Sequence, residues 1–219
     1  MDARTSAFYD TYATRLAATE AGRSAMLSTL QATLATGTWV LDVGAGSGRD
    51  MAALLELGFE ALGVEPNAAM RETALRLRPD LAGRLADASL PDLGRPFSAR
   101  RPHGFDAVVC SAVLMHVEPA GLARALASLA RQLRPPVDGE SAQRRPALLI
   151  SLPEMLAERL SGDRDGDGRR FHNHEPAAVQ ALLADSMLEL ESASTSDVVL
   201  AGTGTRWHTL VFRRRLGQG

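Results

Sequence analysis

The chain has 219 residues, of which 45% are hydrophobic and 23% charged, and its formal net charge is −2. This size suits one α/β domain with its own core, and the balanced charge excludes a general electrostatic attraction to nucleic acid or anionic membrane. All 24 basic residues are arginine, which excludes mechanisms that need a lysine amine, such as a Schiff base or a phosphate-binding P-loop.

The predicted elements alternate along the first two thirds of the chain. Helices show apolar residues at three- and four-residue spacing, and strands are short apolar runs bounded by glycine or proline. The predicted order is helix 6–18, helix 24–35, strand 38–43, helix 49–57, strand 60–65, helix 67–77, a strand that runs into a loop within 104–115, helix 119–133 and strand 146–153. Repeated strand–helix–strand units predict a mostly parallel sheet with helices on both faces.

The C-terminal third follows a different pattern. After a helix at about 175–185, strand signals at 188–200 and 205–215 have no long helix between them, which predicts an antiparallel pair at one sheet edge. We therefore predict a Rossmann-like, doubly wound α/β fold of about seven strands, formed by residues 1–219 as a single domain. Within it, residues 1–36 would be helices capping the ligand site, residues 37–152 the cofactor-binding core, and residues 153–219 the acceptor side.

The segment VLDVGAGSGRD (40–50) places three glycines at every second position after a buried strand. A dinucleotide site would need a glycine where Arg49 stands, because that glycine permits close helix–strand packing. A P-loop would need a lysine, and a nucleophile elbow would need a glycine where Ala45 stands. What remains is an acid, Asp42, followed by alternating glycines, with a second acid, Glu65, at the end of the next strand.

This pattern resembles the first motif of the class I S-adenosylmethionine-dependent methyltransferases. The resemblance covers most of the chain, because VLDVGAGSGRD, GVEPNAAM, LADASLPDL and FDAVVCSAVLMHVEP match four successive family segments in order. One departure is LRPPVDGESAQRRP, where the family often has Pro-Gly-Gly, and it suggests a longer loop before the fifth strand.

The resemblance implies S-adenosylmethionine as cofactor and assigns roles by position. Asp42 would anchor the amino group of the methionine part, and Glu65 would accept hydrogen bonds from the ribose. The other implied cofactor contacts are Gly44, Ala45 and Gly46 beneath the methionine and ribose, Pro66 or Asn67 near the adenine, Asp87 and Ala88 at its edge, Ser111 near the methionine end, and Tyr12 as a possible cover.

Candidates for the acceptor side are less specific. His116, after the fourth strand, and His172 are candidate general bases for acceptors that must lose a proton. Met115, Arg169, Arg170 and His172 are candidate acceptor contacts, and the two arginines suit an acidic or phosphorylated acceptor. The acidic run at 163–168 resembles the opening of a calcium loop, but His174 stands where the bidentate acid should be, so we expect a solvated loop and no metal.

Three functions stay open at this point. The first is methyl transfer to an O or N atom of a small molecule, the second is methylation of RNA or protein, and the third is cofactor binding without catalysis. Low aromatic content argues against RNA, although RRFHNHE and TRWHTLVF faintly resemble segments of tRNA wobble-base methyltransferases. The N-terminal segment lacks the features of a signal peptide and no apolar run reaches membrane-spanning length, so we expect a cytoplasmic protein without a membrane contact.

Overall fold

A computed structural model of the chain describes residues 1–16, 24–196 and 205–216. The helices are α1 (Ala3–Arg15), α2 (Ala25–Thr33), α3 (Arg49–Glu56), α4 (Ala68–Leu77), α5 (Leu122–Ala130) and α6 (Pro176–Leu183). The strands are β1 (Trp39–Val43), β2 (Glu60–Val64), β3 (Leu85–Ala86), β4 (Ala107–Ser111), β5 (Ala147–Glu154), β6 (Leu188–Ser196) and β7 (Arg206–Arg214).

These strands form one sheet in the order β3-β2-β1-β4-β5-β7-β6. Strands β1 to β5 pair in parallel, and β7 pairs antiparallel with both β5 and β6. The prediction of a doubly wound sheet with an antiparallel C-terminal pair is confirmed. The strand order reverses between β1 and β4, and open α/β sheets bind their ligands at the carboxyl ends of strands beside such a reversal.

Each sheet face has its own apolar core, because successive side chains of a strand point to opposite faces. Leu41 and Val108 belong to a cluster that includes Leu126 of α5. Their neighbour Val40 belongs to a second cluster, which includes Leu30 of α2 and Leu54 of α3. Helix α2 therefore packs on the sheet face, so the expectation that residues 1–36 as a whole cap the ligand site is wrong for α2.

The predicted elements are present, with shifted ends. Within 104–115, the strand runs from Ala107 to Ser111, and the predicted loop begins at Ala112, which turns the chain with a φ of +56°. The predicted helix 119–133 is α5 preceded by a 3-10 turn at Pro119–Gly121. Parts of the predicted elements 6–18 and 188–200 lie outside the described residues. Within the described residues, no helix is both long and apolar enough to cross a membrane.

Candidate active site

The glycine loop between β1 and α3 is fixed to the end of β2. The backbone N–H groups of Gly44 and Ala45 both donate to the carbonyl of Val64, at 2.8 and 3.0 Å. Gly44 has a φ of +79°, and a Cβ built there would lie 2.3 Å from Cγ2 of Val113. Both the backbone conformation and the contact with Val113 therefore require glycine at this position.

Glu65 lies where β2 ends and is 7% exposed. Its Oε2 accepts a hydrogen bond from the N–H of Gly46 at 2.9 Å, and its Oε1 accepts one from the N–H of Asn67 at 2.8 Å. Burial is the largest influence and raises the pKa of Glu65, while the two backbone hydrogen bonds act in the opposite direction. Each carboxylate oxygen keeps acceptor capacity beyond the one backbone bond, so the group can hold the loop and also accept from a ligand.

Asp42 lies on β1 and is 5% exposed. Within the described part of the chain, its carboxylate accepts no hydrogen bond and forms no ion pair. Burial, followed by the nearby negative charges of Asp50 and Glu65, raises the pKa of Asp42 to about 8, and Arg49 opposes this shift. A positively charged group placed beside Asp42 would favour its ionised form.

Asn67 was predicted near an adenine, but its side chain is used for structure. Its Oδ1 caps α4 by accepting from the N–H of Met70 at 2.8 Å. Its Nδ2 donates to Oδ1 of Asp10 at 2.7 Å and lies 3.3 Å from the carbonyl of Ser6. Asn67 thereby ties α1 to the end of β2.

Asp87 follows β3 and lies beside the same edge. Its carboxylate is 68% exposed and forms an ion pair with Arg71 at 3.3 Å. Nη1 of Arg71 donates to the carbonyls of Glu65 and Pro66, at 2.6 and 2.9 Å. Arg71, which the sequence did not single out, thus connects three of the predicted cofactor contacts, and half-buried Ala88 is the next residue along the chain.

Helix α1 crosses the carboxyl end of the sheet. Its Tyr9 hydroxyl lies 2.9 Å from Nε2 of His116, and its Thr5 accepts a hydrogen bond from the N–H of Arg170 at 2.8 Å. Tyr12 is 41% exposed and stacks on Phe8 with ring centroids 5.8 Å apart. The structure therefore brings Tyr9 to His116, and it leaves Tyr12 on the outer part of the helix.

The hydrogen bonds of His116 determine its tautomer. Nδ1 lies 2.6 Å from the carbonyl of Arg170, and a carbonyl can only accept, so Nδ1 carries the proton. Burial is the largest influence and lowers the pKa of His116, which favours the neutral ring. Nε2 is then the unprotonated nitrogen, and the Tyr9 hydroxyl donates to it.

Ser111 ends β4 at the same edge. Its hydroxyl lies 2.9 Å from that of Ser151, which also accepts from the N–H of Ala112 at 3.1 Å. Met115 is 6% exposed, and its carbonyl accepts from the N–H of His172 at 2.8 Å. Ser111 is thus half-buried at the strand end, while Met115 connects the turn after β4 to the segment 161–174.

Charged residues of the segment 161–174 form hydrogen bonds and ion pairs with one another. Asp165 is 6% exposed and accepts hydrogen bonds from the backbone of Asp167 and from the backbone and guanidinium of Arg169, all between 2.8 and 3.0 Å. The expectation of a solvated acidic loop is therefore wrong for Asp165. Arg170 pairs with Glu118 at 2.6 Å and with Asp163 at 3.5 Å, so both predicted arginines have carboxylate partners.

The two histidines of the segment differ in their partners. Nε2 of His174 lies 2.9 and 3.1 Å from the carbonyls of Leu114 and Val117, and therefore carries a proton that holds the segment to the turn after β4. Nε2 of His172 is buried and has no hydrogen-bond partner among the described residues. His172 thus has a polar atom that a bound molecule could engage, whereas His174 is structural.

The fold and the position of the glycine loop indicate the kind of site. An alternating α/β sheet with an acid at the ends of β1 and β2, next to a strand-order reversal, is the arrangement of a nucleotide-type cofactor site. Residues 40–136 match the family model described as a methyltransferase domain. The central part of the chain is therefore similar in sequence to a methyltransferase domain, and the fold agrees with that similarity.

Solved structures with the same fold cover nearly all of the chain. A TehB-like S-adenosylmethionine-dependent methyltransferase from Corynebacterium glutamicum is 21% identical, with a TM-score of 0.64, and the match covers 95% of this chain and 99% of that one. A 1,6-didemethyltoxoflavin-N1-methyltransferase from Burkholderia thailandensis, with bound 1,6-didemethyltoxoflavin and S-adenosylhomocysteine, is also 21% identical, with a TM-score of 0.64 and coverage of 95% and 84%.

A magnesium protoporphyrin IX methyltransferase from Synechocystis PCC 6803 with bound S-adenosylhomocysteine is 17% identical, with a TM-score of 0.64 and coverage of 97% and 86%. At these identities the likeness concerns the fold. A comparison of the sequence with curated proteins finds no match.

Proposed function

We propose that the protein transfers a methyl group from S-adenosylmethionine to an O or N atom of a small molecule. The observation that carries this proposal is the pair of buried acids, Asp42 and Glu65, on either side of the glycine loop. Neither carboxylate forms an ion pair within the described residues, and both acids lie at the carboxyl ends of their strands.

The residues at this edge fit the donors and charges of S-adenosylmethionine. Glu65 has the acceptor capacity that two ribose hydroxyls require, and its backbone bonds hold it in place. Asp42 is a buried acid without a cation, which suits the ammonium of the methionine part. Gly46 leaves room for a ligand to pass close to the backbone, because a Cβ there would meet only Cε of Met70, at 3.4 Å.

S-adenosylmethionine, when bound, supplies an electrophilic methyl group whose leaving group is a neutral thioether. The protein then has two tasks, which are to hold the acceptor atom in line and, for a hydroxyl acceptor, to remove its proton. The structure of His116 supports the second task. Its neutral ring presents Nε2 as the proton acceptor, and the acceptor hydroxyl would take the place of the Tyr9 hydroxyl there.

The arginines near the site favour an acceptor without phosphate groups. Arg169 and Arg170 are paired with Asp165, Glu118 and Asp163, so little of their charge is left for an anionic ligand. Two structural neighbours are methyltransferases named for small molecules, 1,6-didemethyltoxoflavin and magnesium protoporphyrin IX. An uncharged or weakly charged small molecule is therefore the acceptor class that we propose.

The test is methyl incorporation from labelled S-adenosylmethionine into fractionated lysate, with and without nuclease. We expect labelled small molecules, no effect of nuclease, and little dependence on ionic strength. A nucleic-acid acceptor held through six or more phosphates would lose affinity by about a thousandfold between roughly 50 and 200 mM salt. Incorporation that disappears after nuclease treatment would replace the proposal with RNA methylation, and no incorporation in any fraction would point to a protein that binds the cofactor without catalysis.

A further inference from the structure

A cavity of about 710 Å³ lies at the opposite end of the parallel strands from the glycine loop. Its lining includes residues from the loop before β4, the end of α5 and the end of β7. The N–H of Arg214 donates to the carbonyl of Pro146, just before β5, and Leu133 bridges to Phe105, just before β4. The cavity is therefore at the amino ends of the parallel strands, whereas Glu65 and the glycine loop are at the carboxyl ends.

Three arginines line this cavity without carboxylate partners. Within the part of the chain that the structure describes, Arg95, Arg131 and Arg214 form no ion pair. The acid in the lining, Asp92, is paired with Arg124 at 3.0 Å. This differs from the segment 161–174, where each arginine has an acidic partner, and it leaves an uncompensated positive charge around one cavity.

The guanidinium of Arg214 also has a donor group without an acceptor. Its Nη2 donates to the carbonyl of Ala130 at 3.0 Å, but its Nε is buried and has no hydrogen-bond partner among the described residues. Burial lowers the pKa of this guanidinium, because it disfavours the charged form. Buried donors are nearly always satisfied in folded proteins, so an acceptor supplied by a ligand would complete this one.

We propose that the cavity binds a small molecule that carries two or more phosphate groups. Guanidinium groups bind phosphate oxygens through paired hydrogen bonds, and three of them suit more than one phosphate. The volume lies within the range of small-molecule sites, roughly 300–1,000 Å³. Leu133 and Pro102 add apolar surface to the same lining, which suits a ligand with a non-ionic part next to its phosphates.

This site is independent of the proposed methyl transfer. No residue that we assign to cofactor or acceptor lines the cavity, and the two sites lie at opposite ends of β4 and β5. Binding at the cavity can therefore be measured whether or not methyl transfer is confirmed.

The test is isothermal titration calorimetry of the full chain with inorganic tripolyphosphate and, separately, with ATP after saturation by S-adenosylhomocysteine. We expect one tripolyphosphate per chain. Arg131→Gln should weaken binding by about fivefold and the double variant R95Q/R131Q by about twentyfold or more, in keeping with loss of charge-assisted hydrogen bonds. Arg95 and Arg131 are exposed and form no ion pair with a described residue, although Nη2 of Arg95 donates to the carbonyl of Pro102 at 2.6 Å, so these variants should fold.

Arg100→Gln is the matched control, because Arg100 is an exposed arginine outside the cavity that donates to the carbonyl of Gly83. Its affinity for tripolyphosphate should stay at the wild-type value. Tighter binding of ATP than of tripolyphosphate would identify a nucleotide as the ligand, and equal binding would identify the phosphates alone as the recognised part. Absence of saturable binding, equal affinity in R95Q/R131Q and wild type, or displacement of tripolyphosphate by S-adenosylhomocysteine would overturn the proposal.

Discussion

The glycine-loop side and the acceptor side of the candidate site differ in whether their charged residues form ion pairs. On the glycine-loop side, Asp42 and Glu65 are buried and form no ion pair within the described residues. On the acceptor side, Arg169 and Arg170 are joined to acids over short distances. The comparison shows that an arginine-rich motif can be structural once its partners are known, whereas the proposed cofactor site depends on buried acids that lack such partners.

The largest effect is expected from breaking the pairing on the acceptor side. Asp165→Asn removes the buried charge to which Arg169 and two backbone N–H groups are bonded, and should lower the free energy of unfolding by about 2–4 kcal/mol. Chemical denaturation measures this change. Affinity of the folded protein for S-adenosylhomocysteine should stay unchanged, because Asp165 does not belong to the cofactor side.

The control is Asp167→Asn, whose carboxylate is 59% exposed and 3.5 Å from the same arginine. Exposed pairs contribute little, so its cost should be below about 1 kcal/mol. An equal decrease in the free energy of unfolding for the two variants would mean that the buried carboxylate of Asp165 contributes no more to stability than the exposed one of Asp167.

On the cofactor side, removing the unpaired charge should stabilise the ligand-free protein. Burial raises the pKa of Asp42 to about 8, above the value of an unfolded chain, so folding favours its protonated form. This contribution to stability is complete below about pH 4 and is lost as the pH rises to about 8. Asp42→Asn removes this pH-dependent loss. The free energy of unfolding of the variant relative to wild type should therefore be about 1–3 kcal/mol higher at pH 8 than at pH 5.

Thermal and chemical unfolding of both proteins across this pH range provide the measurement, and Asp50→Asn serves as a control for the local charge. The same Asp42→Asn variant should bind S-adenosylmethionine more weakly, because the ammonium loses its acid. If the stability difference is constant from pH 5 to pH 8, Asp42 has no raised pKa in the folded state.

The smallest effect concerns the contact that joins α1 to His116. Tyr9→Phe removes the hydroxyl that donates to Nε2 and so favours the neutral ring, and the pKa of His116 should therefore rise. Titration of the histidine ring signals by NMR would measure it. His174, whose bonds are to the carbonyls of Leu114 and Val117, should keep its pKa, and an equal shift in both histidines would contradict a direct bond.

Much of the fold was predictable because its signals are local. Apolar periodicity located the helices and strands, and the alternation of elements gave a parallel sheet with an antiparallel pair at the end. A strand running into a loop was predicted within 104–115, but nothing in the sequence reveals that the strand ends where Ala112 adopts a positive φ.

The acceptor side was less predictable because its partners are distant in sequence. The side chain of Arg170 pairs with Glu118, and its backbone N–H donates a hydrogen bond to the hydroxyl of Thr5. Neither contact can be derived from the motif around Arg170. Tyr9 and Tyr12 lie three residues apart on one helix, and only the packing of α1 on the sheet decides that Tyr9 contacts His116. The cofactor contacts at Glu65 and Asp42 stay predictions, but the burial of both acids supports them.

Calorimetric titration with S-adenosylhomocysteine and NAD, for wild type and Glu65→Gln, tests the central claim most directly. We expect one S-adenosylhomocysteine per chain with an affinity in the micromolar range, and no comparable binding of NAD. Glu65→Gln should lose about 1.5–3 kcal/mol of binding free energy, the scale of hydrogen bonds to a charged group, while the exposed Asp87→Asn should lose less. Tighter binding of NAD than of S-adenosylhomocysteine, or an unchanged affinity in Glu65→Gln, would contradict the account.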